Sequence, residues 1–160
     1  MKVCVIFGSP HKKGKTAALL AEYIKKLPNN ADVTIVNCYD EAVSPCVDCG
    51  VCKKTGSCVK RDMDSIYKAV EESDMLIFAS PVYNLSFPSP MKAVLDRFQV
   101  YFNRRFSLDL RPPIEKPRKA VILLTHDSDK YGCAEYAVTT LKMLCTVLNA
   151  EVTKTVIKLN

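Results

Sequence analysis

Lys2-Val3-Cys4-Val5-Ile6-Phe7-Gly8-Ser9-Pro10-His11-Lys12-Lys13-Gly14-Lys15-Thr16 is the stretch whose reading decides the fold. Residues 2–7 form a short continuous apolar run bounded by turn residues, the pattern of a strand buried on both faces. Beyond the polar turn, Leu19, Leu20, Tyr23, Ile24 and Leu27 recur at helical spacing, so the turn joins a buried strand to an amphipathic helix. Pro28-Asn29-Asn30 ends that helix. A loop in this position leaves backbone N–H groups free at a helix N-terminus, where the helix dipole favours an anion. Ser9 and Thr16 add hydroxyl donors, and Lys13 or Lys15 adds positive charge. Phosphate binding follows from that chemistry.

Gly14-Lys15-Thr16 looks like the end of an NTPase P-loop, but that motif has four residues between its glycines and here five intervene. Pro10 also removes a backbone donor from the cradle. No apolar strand ends directly in the aspartate that would hold magnesium, and G-x-G-x-x-G is absent.

Strand and helix patterns alternate along the rest of the chain. A second strand is expected over 32–38, and a helix from about Asp62 or Asp64 carries Met63, Ile66, Tyr67 and Val70 inward. A third buried strand spans 75–79. A proline-rich turn (Pro81, Pro88, Pro90) leads to a helix with Met91, Val94, Leu95 and Phe98 on one face. Residues 103–119 read as one long irregular loop, either a solvated connection or a lid or subunit contact. A fourth strand over 120–125, a helix over about 132–149 with Ala137, Leu141, Leu144 and Leu148, and a last strand near 151–158 complete the set. Apolar rather than alternating strands, separated by helices, mean an α/β doubly wound five-stranded parallel sheet with helices on both faces. Its ligand site lies at the carboxyl ends of the strands, where the winding reverses. The 160 residues suit one domain, residues 1–160, with a cysteine-rich insert at about 40–62.

That insert holds four of the eight cysteines, Cys46, Cys49, Cys52 and Cys58, spaced C-x2-C-x2-C-x5-C. Three thiols in so tight a run suit an iron–sulfur cage, whereas structural zinc sites more often use two separated pairs or add histidine. Neither His11 nor His126 is near the window. Lys53, Lys54, Lys60 and Arg61 flank it, either offsetting the negative charge of a thiolate-ligated cluster or forming an ordinary solvated loop. Cys4, Cys38, Cys133 and Cys145 sit among apolar or helical neighbours and read as small core residues. There is no charged-then-apolar leader and no apolar run of the ~20 residues a membrane span needs. A reducing cytoplasm, with no membrane partner, is therefore the expected compartment. The formal charge of +6 is dispersed among acids and accompanies no nucleic-acid motif, so nucleic acid is not an expected partner.

Gly-Ser-Pro-x-x-x-Gly-x-Thr after the first strand resembles the FMN phosphate loop of the NAD(P)H-dependent FMN reductases, a branch of the flavodoxin-like superfamily. Ser80-Pro81-Val82-Tyr83-Asn84 resembles that family's Pro-Val-Tyr segment, and Lys92 with Asp96-Arg97 its following helix. Cys46 through Cys58, then Arg61-Asp62-Met63, resembles the compact cysteine motif of the iron–sulfur flavoproteins in the same family. Where the family usually has Asn before the loop threonine, this chain has Lys15. The resemblance covers roughly residues 1–100 and implies a flavodoxin-like sheet of order 2-1-3-4-5.

It also implies FMN, held at its phosphate by Ser9, His11, Lys13, Lys15, Thr16 and Ala17, with its ring across Pro81, Val82, Tyr83 and Asn84. Tyr83 and Phe87 are the aromatic partners on offer in a chain without tryptophan. His126 follows the fourth strand on the same sheet edge, placed either to contact the flavin or to face solvent in a polar turn. The implied activity takes electrons from NAD(P)H and passes them to a small-molecule or protein acceptor, or through a [4Fe-4S] cluster on Cys46, Cys49, Cys52 and Cys58. Homodimers or homotetramers are the implied assembly. A flavodoxin-like carrier between protein partners and a zinc-stabilised binding module are the competing readings; flavodoxins are typically acidic, which favours the reductase for this basic chain.

Overall fold

A computed structural model describes residues 1–128 and 132–159. Five parallel strands form one sheet in the order β2-β1-β3-β4-β5, as the sequence predicts. They are β1 (Lys2–Phe7), β2 (Asp32–Asn37), β3 (Met75–Pro81), β4 (Arg118–His126) and β5 (Ala150–Leu159). The three interior strands are buried almost throughout, which is why their sequences are continuously apolar; the edge strands β2 and β5 are mostly exposed or half-buried.

Helix α1 (Lys15–Ile24) covers one face through Leu19 and Leu20, which pack on Val3, Val5, Ile77, Val121 and Leu123. The opposite face carries α3 (Asp64–Glu72), α4 (Ser89–Arg97), α5 (Gln99–Phe106) and α6 (Cys133–Val147) over Cys4, Ile6, Leu76, Phe78, Ile122 and Leu124. This alternation of β4 side chains between two cores is the period-two signature of a strand with both faces covered. Cys4, Cys38 and Cys145 are buried in the second core as expected. The side chain of Cys133 and residues 129–131 of the turn after β4 lie outside the described residues.

Two local expectations are corrected. The segment from 103 is not one irregular loop: residues 103–106 complete α5, and the connection is 107–117. The helix exists because Val100, Tyr101 and Asn103 turn inward while Phe102 and Phe106 are exposed, a short amphipathic pattern placed directly after α4. The cysteine segment also contains a five-residue helix, α2 (Val51–Thr55), bounded by Gly50 and Gly56 in left-handed conformations. No helix among the described residues is long and apolar enough to cross a membrane.

Candidate functional site

Because the strands are parallel, the loops after β1, β3 and β4 leave the sheet on one edge. The winding reverses between β1 and β3, the crevice where such sheets take their ligands. In the first of these loops Ser9 is buried, and its hydroxyl accepts from the His11 N–H at 3.2 Å; a turn closes from Gly14 N–H to His11 O at 3.1 Å. The first intrahelical bond of α1 runs from Ala18 N–H to Gly14 O, and no side chain caps the helix. The N–H groups of Lys15, Thr16 and Ala17 are therefore left without helical acceptors, with no acidic residue in the first turn. Lys13, Lys15 and His11 are exposed around them. Lys12 is engaged by Asp40 at 2.7 Å.

The buried Thr16 hydroxyl pairs with that of Thr125 at 2.7 Å, tying the α1 N-terminus to the end of β4. Thr125 is a site residue that the sequence reading passed over; a polar residue closing a buried apolar strand was its only signal. His126, last residue of β4, is buried and not in a solvent-facing turn; its Nδ1 lies 2.9 Å from the Ser128 carbonyl. A carbonyl only accepts, so Nδ1 is the donor in this contact.

After β3, Val82 N–H donates to Thr125 O at 2.8 Å, and Tyr83 and Ser86 exchange backbone bonds at 3.0 and 2.9 Å. The two residues between them, Asn84 and Leu85, have φ of 50° and 62°. Positive φ at both positions is the type I′ geometry; Asn tolerates it, whereas an exposed leucine there is strained. Strain of this kind gathers at ligand sites. Tyr83 is exposed beside the turn, but Phe87 is buried in the core, so the aromatic surface on offer is that of Tyr83. A groove of about 530 Å³ is lined by Tyr83, Asn84, Lys92 and, from the cysteine segment, Pro45.

The cysteine segment closes on itself at its neck. Asp62 accepts from Ser44 N–H at 2.8 Å, Lys60 Nζ donates to Pro45 O at 3.0 Å, and Arg97 of α4 bridges both sides. All four thiols of the predicted set, Cys46, Cys49, Cys52 and Cys58, line one cavity of about 30 Å³. Cys46 and Cys49 are exposed, so the cavity is accessible from their side. Among the described residues no group of three or more His, Cys, Asp or Glu side chains is arranged to hold a single metal ion. Four sulfurs around a shared cavity nevertheless form a donor set of the soft kind an iron–sulfur core takes.

The two kinds of cysteine differ chemically. Burial pushes the thiols of Cys4, Cys38 and Cys145 up to about 12, so they stay protonated at neutral pH. Pulse alkylation of the metal-free native protein at pH 8, read by peptide mass mapping, should label Cys46 and Cys49 first and Cys52 and Cys58 next. Cys4, Cys38 and Cys145 should be modified only after denaturation. Early labelling of a buried thiol would contradict the described packing.

A flavodoxin-like sheet with an uncapped helix N-terminus at its switch point defines the class of this protein. The chain belongs to the NADPH-dependent FMN reductase family, whose family model matches residues 1–156. An iron-sulfur flavoprotein of Archaeoglobus fulgidus is 41% identical over 106 residues, which is 65% of this chain and 48% of the relative. Another from Methanosarcina thermophila is 33% identical over 112 residues, covering 68% and 58%. The chain spans about half the length of the curated relatives it matches. In fold it is similar to the NAD(P)H:quinone oxidoreductase from Methanothermobacter marburgensis, with a TM-score of 0.73 at 18% identity over 99% of this chain and 82% of the other.

Proposed function

We propose that this protein is an FMN-dependent oxidoreductase that takes electrons from NAD(P)H and passes them to a small acceptor or through a [4Fe-4S] cluster. The observation that carries the reading is the uncapped α1 N-terminus, with three free N–H donors, opening at the same sheet edge as the strained Tyr83–Ser86 turn. Lys15, Thr16 and Ala17 N–H, the Ser9 and Thr16 hydroxyls, and the charges of Lys13 and Lys15 hold the phosphate, with His11 at its rim. Pro81, Val82, Tyr83 and Asn84 present backbone and one aromatic face to the ring system. His126 is positioned by its Nδ1 contact to offer Nε2 to the same edge. When bound, FMN supplies hydride acceptance and stepwise electron release; the protein supplies orientation, electrostatics and exclusion of water.

Cys46, Cys49, Cys52 and Cys58 would ligate the cluster. Two relatives named iron-sulfur flavoproteins and the shared groove between Pro45 and the Tyr83 turn favour that role. The exposed thiols of this set suit a reducing cytoplasm, and assembly into homodimers or homotetramers is part of the same reading.

Anaerobic purification with flavin, iron and sulfide quantitation tests the cofactors. Bleaching of the yellow protein by NADPH alone selects the reductase; a requirement for a partner reductase selects an electron carrier; stoichiometric zinc without flavin removes both. The phosphate loop has its own test. Replacing the exposed Lys15 by Glu puts a negative charge beside the phosphate position and removes a charge-assisted bond worth about 1.5–3 kcal/mol, so FMN affinity should fall about 10–100-fold. Riboflavin, which lacks the phosphate, should bind the variant and the wild type alike in the same fluorescence titration.

A further inference from the structure

The cysteine cavity has a polar back wall supplied by α4 and α5. Arg97 is 2% exposed. Its Nη1 donates to Ser44 O at 2.8 Å, and Nη2 donates to Asp62 Oδ1 at 2.7 Å and Lys60 O at 3.2 Å. Among the described residues its Nε–H is buried with no partner, and Arg97 lines the same cavity as the four cysteines. Asn103, also 2% exposed, donates from Nδ2 to Cys52 Sγ at 3.0 Å. The Ser107 hydroxyl donates to Asn103 Oδ1 at 3.3 Å, which orients the amide with its nitrogen toward the sulfur.

These contacts go beyond holding a loop. The neck bonds made by Nη1 and Nη2 would be equally good over an apolar plug. Buried donors left unpaired are costly and rare, and each one calls for a partner. Here the unpaired N–H belongs to a permanent cation beside four sulfurs, one of which already accepts a hydrogen bond from a buried amide. An anionic occupant satisfies both: a thiolate-ligated cluster is negative, and its sulfurs accept hydrogen bonds.

We propose that Arg97 and Asn103 are positioning residues for an iron–sulfur cluster on Cys46, Cys49, Cys52 and Cys58, and that they raise the potential at which it accepts an electron. The inference rests on the cluster reading given above. Adding one electron makes the cluster one charge more negative, with no bond made or broken. A fixed positive charge and a sulfur-directed donor in a low-dielectric site stabilise the reduced state more than the oxidised one. Asn103 acts through the Cys52 sulfur, and Arg97 through its charge and its free Nε–H.

The test compares wild type with Arg97→Gln, Arg97→Lys and Asn103→Leu, each reconstituted anaerobically with iron and sulfide. Iron and sulfide content are measured, followed by potentiometric titration with dithionite monitored by electron paramagnetic resonance. Thermal unfolding is recorded in parallel. Arg97→Gln and Asn103→Leu should each disfavour the reduced cluster about tenfold, a midpoint lower by about 59 mV for one electron. Arg97→Lys retains the charge while losing the fork and its Nε–H, so it should lower the potential less than Arg97→Gln does and unfold at lower temperature than the wild type. A purely structural Arg97 would lower stability in both of its variants and move the potential in neither. A wild-type cluster whose potential is unchanged in Arg97→Gln and Asn103→Leu would overturn this inference and leave the cluster reading standing. A wild type that takes up no iron or sulfide would overturn both. If Arg97→Gln does not fold, Asn103→Leu, which leaves the neck bonds untouched, decides the outcome.

Discussion

Asp62→Ala should destabilise the protein by about 3–5 kcal/mol, the penalty for leaving a buried cation without its partner. Arg97 is fully buried, and among the described residues Asp62 is its one carboxylate contact within salt-bridge distance, at 2.7 Å, while also receiving Ser44 N–H. The truncation removes both acceptors and releases the neck of the cysteine segment. For a chain of this size each kcal/mol corresponds to about 2–4 °C, so the unfolding midpoint should drop by about 10 °C or more. Asp62→Asn, which keeps an acceptor but not the charge, should fall between the two. The same pair sets a pH dependence. Hydrogen bonding from the Arg97 guanidinium, reinforced by Ser44, holds the Asp62 carboxyl well below the usual carboxylate range against the opposing effect of burial. A depressed pKa contributes stability that is complete above the unfolded value of about 3.9 and is lost as pH falls through the folded value. The difference in stability between wild type and Asp62→Ala should thus be constant from pH 7 to about 5 and shrink only in strong acid. A difference that disappeared between pH 7 and 5 would remove the carboxylate from this role.

Gly8→Ala should cost about 1–3 kcal/mol through overpacking and weaken FMN binding at the same time. Gly8 follows β1, donating its N–H to Ala79 O at 2.8 Å at the point where the chain enters the turn to α1. A Cβ there would clash with Met91 Sδ and lie 2.9 Å from both Met91 Cβ and Ser80 Oγ. The thioether end can swing away, but Met91 Cβ and the Ser80 side chain belong to the packed core, so the backbone at Gly8 must give way. Displacement of Gly8 shifts Ser9 and the turn to Gly14, which together define the open N–H groups of α1. Calorimetry should show the midpoint lowered by about 5 °C, and FMN retention on gel filtration should fall. Gly50→Ala offers a contrast: Gly50 needs a φ of 75° but has open space around it, so only backbone strain is added, about 1 kcal/mol. Equal loss of flavin in both variants would contradict the packing argument.

The strands, the main helices and the turn that carries β1 into α1 were legible in the sequence because each is written in local pattern. Val3 to Phe7, Met75 to Ala79 and Ala120 to Thr125 are apolar runs of strand length, and Gly8-Ser9-Pro10 marks a break. Helix α5 was hidden because Asn103, Arg104 and Arg105 read as polar loop; the segment packs against α2 and α6, partners distant in the sequence. The solvent-facing alternative for His126 arose from its polar neighbours, whereas β4 extends one residue further and buries the ring. Phe87 was available on paper as an aromatic partner, but the core takes it.

By itself the sequence determined the doubly wound parallel architecture, the turn that leads β1 into the N-terminus of α1 and the grouping of Cys46, Cys49, Cys52 and Cys58. Periodicity, turn chemistry and short spacing operate over a few residues and are visible without coordinates. The tertiary structure alone decided what surrounds those sulfurs. Arg97 reaches Ser44 across 53 residues, and Asn103 reaches Cys52 across 51. A buried donor meeting a distant acceptor leaves no periodic trace in a chain, because the contact is set by how helices pack on the sheet and not by the order of neighbouring residues.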